Sequence, residues 1–156
     1  MKKMLRTGFS LMEMVVVIII IGILVAGIIK VTSATKGAKV TTLNSNISNL
    51  ATAAIQWADQ ENSGSYEDIS LSKLEEDNIL GNDWGTDGKS KNPFAGGIKI
   101  KSGFNGNGFI IIADKIPEKI CKKYNSKKYK VPAADDWECS DGTLKAYYGG
   151  TKDENK

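Results

Sequence analysis

One carboxylate stands apart. Glu13 is the only charged residue between positions 9 and 29 of a 156-residue chain. A carboxylate among apolar side chains is costly unless a cation meets it, so its position marks a function and asks for a cationic partner. Cys121 and Cys139 are the only thiols, too few for a tetrahedral thiolate site, and the lack of His removes the usual zinc ligand and general base. Gly88-Lys89-Ser90 has the ending of a phosphate-binding loop, but Asp83 stands where its first glycine belongs and no apolar strand precedes it. Asp83, Asp87 and Gly88 imitate the opening of a calcium loop, yet its third position is Gly85 and its twelfth is Phe94. Loop turns account for both. These residues predict no catalytic, metal or cofactor site, and leave an ion pair at Glu13 and a pair of thiols as the available chemistry.

The element that carries Glu13 is apolar. Residues 14–29 hold no charge, although mean hydropathy over the whole chain is −0.24. As a helix, residues 9–29 rise about 31 Å, roughly the thickness of a bilayer's hydrocarbon core. Lys2, Lys3 and Arg6 flank this span on its N-terminal side, so the positive-inside rule leaves the N-terminus cytoplasmic and sends the chain after Lys30 outward. A secretory signal peptide would explain the basic start and the small residues Thr32 and Ala34, but the apolar run is longer than its h-region and Glu13 has no role in it. A plain membrane anchor explains the length and leaves Glu13 equally idle.

The sequence Lys2-Lys3-Met4-Leu5-Arg6-Thr7-Gly8-Phe9-Ser10-Leu11-Met12-Glu13 closely resembles the class III signal of type IV prepilins: a short basic leader ending in Gly, then Phe, then Glu four residues on. The resemblance implies cleavage between Gly8 and Phe9 by a prepilin peptidase on the cytoplasmic side, followed by N-methylation of Phe9. A residue without Cβ can lie close against a protease. Cleavage there keeps the anchor and creates an amine on Phe9. In pilin-like assemblies that amine is the partner of the acid, so Glu13 is expected to set register between subunits, since desolvation offsets much of the pair's attraction. One departure concerns the helix itself. Gly22 matches the helix-loosening Gly of many pilins, but Lys30 stands where a Pro follows it; Gly22 and Gly27 serve equally well as close-packing positions between helices.

Beyond the span the period stays helical. Val40, Leu43, Ile47, Leu50, Ala54 and Trp57 or Ala58 recur at steps of three and four, and no proline occurs before Pro93. One helix over residues 9–60 would be roughly 80 Å long. It is apolar all round in its first half and striped in its second, which predicts lipid or neighbouring helices around the former and a globular cover on the latter. Residues 61–97 form a connector, with a short helix capped by Ser72 and Glu75 and stopped near Gly81. Residues 98–101, 109–113 and 144–148 predict strands, with Asn105-Gly106-Asn107-Gly108 as a hairpin turn. A helix around residues 116–124 takes Pro117 in its first turn.

The fold class is therefore α+β, a long N-terminal helical spine with an antiparallel sheet packed on its C-terminal half, which is also what the type IV pilin resemblance implies. Its parts are a cleaved leader (1–8), a transmembrane and assembly half-helix (9–30), an amphipathic half-helix (31–60), and a globular αβ-loop, sheet and disulfide-bounded C-terminal region (61–156). An anchor that places the body outside the cytoplasm puts Cys121 and Cys139 where a bridge is permitted, and a C-terminal disulfide is also the pilin family's usual arrangement. Closing a loop of about 18 residues contributes on the order of 3 kcal/mol. The short leader and Phe9 are of the type IVa kind. The turn at residues 92–97 and the helix at 116–121 are similar to type IVb pilins, including those of conjugative systems, and both subclasses stay open.

Charge sharpens the expected role. The net +3 arises from 21 basic and 18 acidic residues, and Lys2, Lys3 and Arg6 supply all of it, leaving 18 bases against 18 acids after the leader. That balance argues against nucleic acid as a primary partner. Locally, residues 59–87 hold nine acids and one base, and residues 89–130 hold eleven bases and two acids. Such blocks are solvated faces, or an acidic block of one subunit facing a basic block of the next. The resemblance implies a structural subunit rather than an enzyme: a major pilin that leaves the inner membrane for an extracellular homo-oligomeric filament used in twitching, adhesion, DNA uptake or conjugation. Its partners would be the prepilin peptidase, an inner-membrane platform with its ATPase, and a secretin if there is an outer membrane. A pseudopilin of a type II secretion system and a membrane-anchored periplasmic binding domain are the alternatives.

Overall fold

The computed structural model describes residues 11–81, 84 and 90–155, with side chains from residue 35 onward except at Ser90. The chain divides into two compact units, Met1–Ala38 and Lys39–Lys156. Helix α1 spans Leu11–Glu61, and its residues up to 38 are the described part of the first unit. Among residues with described side chains, no helix is long and apolar enough to cross a membrane; the span expected at residues 9–30 lies outside them.

Within the second unit, α1 buries the expected stripe. Leu43, Ile47, Leu50, Ala54 and Ala58 are closed off from solvent, with Val40, Ala51 and Trp57 beside them, while Thr41, Ser45, Asn49, Thr52 and Gln56 stay exposed. The helix ends where Ser63 and Gly64 turn left-handed (φ 52° and 82°) and the Gly64 N–H caps the Ala58 carbonyl at 2.7 Å. Helix α2, Leu71–Glu76, is capped by Ser70, whose hydroxyl accepts the Lys73 N–H at 3.2 Å. The expectation of a cap at Ser72 and an end near Gly81 is thus corrected. Ser70 is extended and the helix begins at Leu71, which puts Leu71 and Leu74 on one face of the turn so that both enter the core.

Five antiparallel strands follow: β1 (Ser90–Lys91), β2 (Gly97–Gly103), β3 (Gly108–Ala113), β4 (Asp136–Ser140) and β5 (Thr143–Tyr148), in the order β1-β2-β3-β5-β4. Strands β1 and β4 add to the three that the sequence predicts. The β2–β3 link is a 3-10 turn at Phe104–Gly106 in which Phe104, Asn105 and Gly106 all have positive φ. Helix α3, Glu118–Asn125, starts one residue after Pro117, which caps it instead of lying in its first turn. Pairing of Ile98 with Ala113 and of Phe109 with Tyr148 puts Ile98, Ile100, Phe109, Ile111, Leu144 and Tyr148 on the face toward α1. The opposite face holds a smaller cluster of Ile110, Ile112 and Tyr147 under Phe104. This is the α+β fold, helix plus antiparallel sheet, that the pilin resemblance implies.

A buried amide joins the sheet's parts. Asn92 donates to the carbonyls of Asp114 (2.7 Å) and Gly97 (3.0 Å) and accepts the N–H groups of Phe94 (2.8 Å) and Gly96 (3.3 Å). Gly96 has to be Gly here, because a Cβ would collide with the Asp114 carbonyl oxygen.

Candidate functional site

The sequence offers two candidate regions, the processing segment at the N-terminus and the thiol pair. Gly8 and Phe9 lie outside the described residues, as do Asp83 and Asp87, and Glu13 belongs to α1 with its side chain outside them. Side-chain geometry is therefore that of the thiol region and its surroundings.

Cys121 on α3 and Cys139 on β4 form a disulfide with their Cα atoms 5.1 Å apart, both buried against the core. The amphipathic pattern of α3 explains the placement: Ile120, Cys121 and Tyr124 face inward while Lys119 and Lys122 face solvent. Glu118 in the first turn and Lys122 and Lys123 in the last complement the helix dipole. Glu118 and Lys122 also pair at 2.7 Å, and this fully exposed bond lowers the pKa of the carboxyl and raises that of the amine.

Further bonds fasten the same lobe, through residues that carry no signal of this role in the sequence. The Asn125 side chain donates to the Cys139 carbonyl at 2.7 Å and accepts the Cys139 N–H at 3.0 Å, occupying β4 as a neighbouring strand would. Trp137 Nε1–H donates to the Tyr124 carbonyl at 3.1 Å. Tyr124, fully buried, donates its hydroxyl to Asn44 Oδ1 of α1 at 2.7 Å, and Asn44 Nδ2 donates to the Lys130 carbonyl at 3.1 Å. Burial holds the Tyr124 phenol well above its ordinary pKa, with the neighbouring Tyr129 adding to the effect. Burial does the same to Tyr148, assisted by Asp135.

The second attachment to α1 is different in kind. Trp57 Nε1–H donates to Asp77 Oδ2 just after α2 at 2.7 Å, and the Lys73 ammonium lies 5.8 Å from the centre of the Trp57 ring. At about 100° per residue, Trp57 and Asn44 fall on opposite sides of the stripe formed by Leu43, Ile47, Leu50 and Ala54. Lys39 shares the direction of Trp57, and its ammonium lies 6.0 Å from the Phe94 ring in the turn before β2. One flank of the unit thus carries α2 and the β1–β2 turn, and the other carries α3 and β4.

Chemically, this arrangement presents surfaces. Among the described residues no group of three or more His, Cys, Asp or Glu is placed to hold a metal ion. An open cleft of about 520 Å³ runs beside β4, but Asn125, Asp135, Asp136 and Glu138 on its wall already take part in internal hydrogen bonds.

Compared with known families, residues 3–29 match the prokaryotic N-terminal methylation motif. No curated protein and no solved structure matches the chain. The motif supports a type IV pilin-like prepilin, of the pilin or pseudopilin kind, and points to a structural subunit. It implies processing by a prepilin peptidase, dealings with a pilus-type assembly machinery, and a membrane-anchored precursor that passes to a surface filament.

Proposed function

We propose that this chain is the major structural subunit of a type IV pilus. The observation that carries the proposal is Gly8-Phe9 followed by Glu13, within the matched methylation motif. In this reading residues 1–8 are removed, Phe9 is N-methylated, and residues 9–30 exchange lipid for the same segment of neighbouring subunits. Residues 31–60 serve as the support for the globular region at 61–156. Glu13 pairs with the Phe9 amine of an adjacent subunit. In a low-dielectric surrounding, either charge left alone is strongly penalised, so the pair selects one axial register. Energy for extraction comes from an ATPase acting through a platform protein.

The buried Cys121–Cys139 bridge favours the pilus over the pseudopilus, whose subunits commonly lack a C-terminal disulfide. The deciding experiment is intact mass and N-terminal analysis of chains from sheared cell-surface filaments. An abundant chain starting at methylated Phe9 is the expected result. A chain retaining Met1, or one starting after Ala34, overturns the proposal. Glu13→Ala should leave the globular unit folded and reduce filament recovery by about tenfold or more, the scale of one lost buried ion pair.

A further inference from the structure

The turn between β2 and β3 holds the two Asn-Gly pairs of the sequence, Asn105-Gly106 and Asn107-Gly108. An asparagine followed by glycine carries its own nucleophile. The next backbone nitrogen can reach the side-chain amide carbon, and a residue without Cβ leaves that approach open. The two pairs are alike in sequence and differ in how they are held.

Asn107-Gly108 is fixed from several sides. The Asn107 N–H donates to the Phe104 carbonyl at 3.1 Å, and Gly108 pairs with Gly103 at the end of the β2–β3 ladder. Gly108 lies so close to the Tyr148 carbonyl that a Cβ on it would collide, and the Asn107 carbonyl lies against Gly149. Turning the Gly108 nitrogen toward the Asn107 side chain requires this end of the sheet to come apart.

Asn105-Gly106 is anchored at its margins. The Phe104 N–H before it donates to Asn155 Oδ1 at 3.0 Å, and the Gly106 carbonyl accepts the Tyr66 N–H at 2.8 Å. Between these anchors Asn105 is exposed, and among the described residues no hydrogen bond holds its side chain. Its backbone is left-handed (φ 53°, ψ 43°), as is that of Phe104 (φ 54°). A residue with a Cβ occupies that region at a cost, so a longer and more flexible linkage at position 105 relieves it.

We propose that Asn105 is a self-modification site at which the folded chain converts an amide into a carboxylate. The Gly106 backbone nitrogen attacks Asn105 Cγ and closes a cyclic imide. The side-chain nitrogen leaves as ammonia, taking up through solvent the proton that the Gly106 nitrogen gave up. Water, the one co-reactant, then opens the ring. Breaking the bond at Cγ leaves an ordinary backbone with an aspartate side chain. Breaking the bond at the backbone carbonyl leaves an isoaspartyl linkage, in which the chain runs through the side chain and is one carbon longer. No electrons are exchanged in either step.

The longer product has a structural consequence. Its extra carbon displaces the Gly106 carbonyl from Tyr66, whose ring packs on Phe109 with 5.0 Å between centres. Glu67 lies against Gly106, so the new carboxylate adds charge of like sign nearby. The stretch that follows α1 therefore loosens as the chain ages, and the change runs one way.

The test holds the full chain in detergent at mildly alkaline pH in heavy-oxygen water. Conversion there adds about 3 Da, which separates it from the gain of about 1 Da that arises later during digestion in ordinary water. Fragmentation of the tryptic peptide 102–115 assigns the gain to residue 105 or 107. In chains unfolded by urea the two sites should react at similar rates, whereas in folded chains residue 105 should react about tenfold faster than residue 107. Asn105→Gln should abolish the gain at 105, because its longer side chain must close a larger ring. Hydrogen exchange at the Tyr66 amide should be about tenfold faster in the isoaspartyl chain than in the unmodified one. If the variant fails to fold, the comparison of the two sites in the wild-type chain decides alone. Protection of both sites in the folded chain, or a gain that falls equally on both or on residue 107, overturns the inference. Unchanged Tyr66 exchange in the isoaspartyl chain overturns its structural consequence.

Discussion

The two lobes that flank α1 are held to it by different physics. The α3 lobe has a covalent bridge to β4, a two-way amide clamp from Asn125, an indole bond from Trp137 and a buried phenol bond from Tyr124 to Asn44. The α2 lobe has the Trp57–Asp77 bond and relies on the burial of Ile69, Leu71 and Leu74. Directional bonds fix geometry; apolar burial supplies adhesion that tolerates small displacements. The α3 lobe is accordingly over-determined, and the α2 lobe is where the unit should open first.

The most severe test of this contrast lies on the weaker side. Leu74→Ala should remove roughly 3 to 4 kcal/mol, because a fully closed-off side chain leaves a cavity with few directional bonds to keep its walls in place. Denaturant melts of the full chain in detergent would measure it. Hydrogen exchange should show the amides of residues 69–80 opening ahead of α3. Next comes Cys121→Ser with Cys139→Ser, at about 3 kcal/mol from the released loop. In contrast to Leu74→Ala, this variant should keep slow exchange at the residue 139 amide, since Asn125 still accepts from it. Rapid exchange there would show that the clamp depends on the bridge.

The smallest effect at neutral pH is the most specific. Tyr124 has a folded pKa raised above the ordinary value near 10 by burial. Its protonated form is thus favoured by folding, so its contribution is fully present below about pH 10 and is lost as pH climbs through the raised folded value. Stability should fall above pH 10, and Tyr124→Phe should flatten that fall while costing about 1 kcal/mol at pH 7 for the lost bond to Asn44. Tyr148, also buried, should retain part of the slope. An identical alkaline slope in Tyr124→Phe would remove Tyr124 from the account.

What could be foreseen depended on how local its cause was. The α1 stripe and the all-apolar run of β3 repeat at the period of their own element, so they show without a fold. The methylation motif is equally local, being a linear string within residues 3–29. Strand β4 was hidden because its alternation places Asp136 and Glu138 on one face and Trp137 and Cys139 on the other; only pairing with β5 and bonding to Cys121 make it a strand. Asn125 and Asn44 look like ordinary solvent-facing helix residues, and their partners lie 14 and 80 or more positions away. At α2 the pattern was degenerate, since Ser70 and Ser72 each precede a residue three on that they could cap, and tertiary burial of Leu71 decided between them.

The Asn125 clamp has a consequence for how the margin of the sheet meets another chain. A bare outer strand is a template for cross-β growth, with one backbone zipping onto another in an unlimited ladder. On β4, Cys139 gives its outward N–H and C=O to one side-chain amide, and the Trp137 N–H turns to Asp136, so a foreign strand finds these places taken. At the other margin, β1 is two residues long, and Lys99 and Lys101 line the strand inside it, where like charges would oppose a second such strand. Polymerisation through the sheet ladder, which would compete with any ordered assembly and could not be reversed, is thereby resisted at both margins by a few side chains.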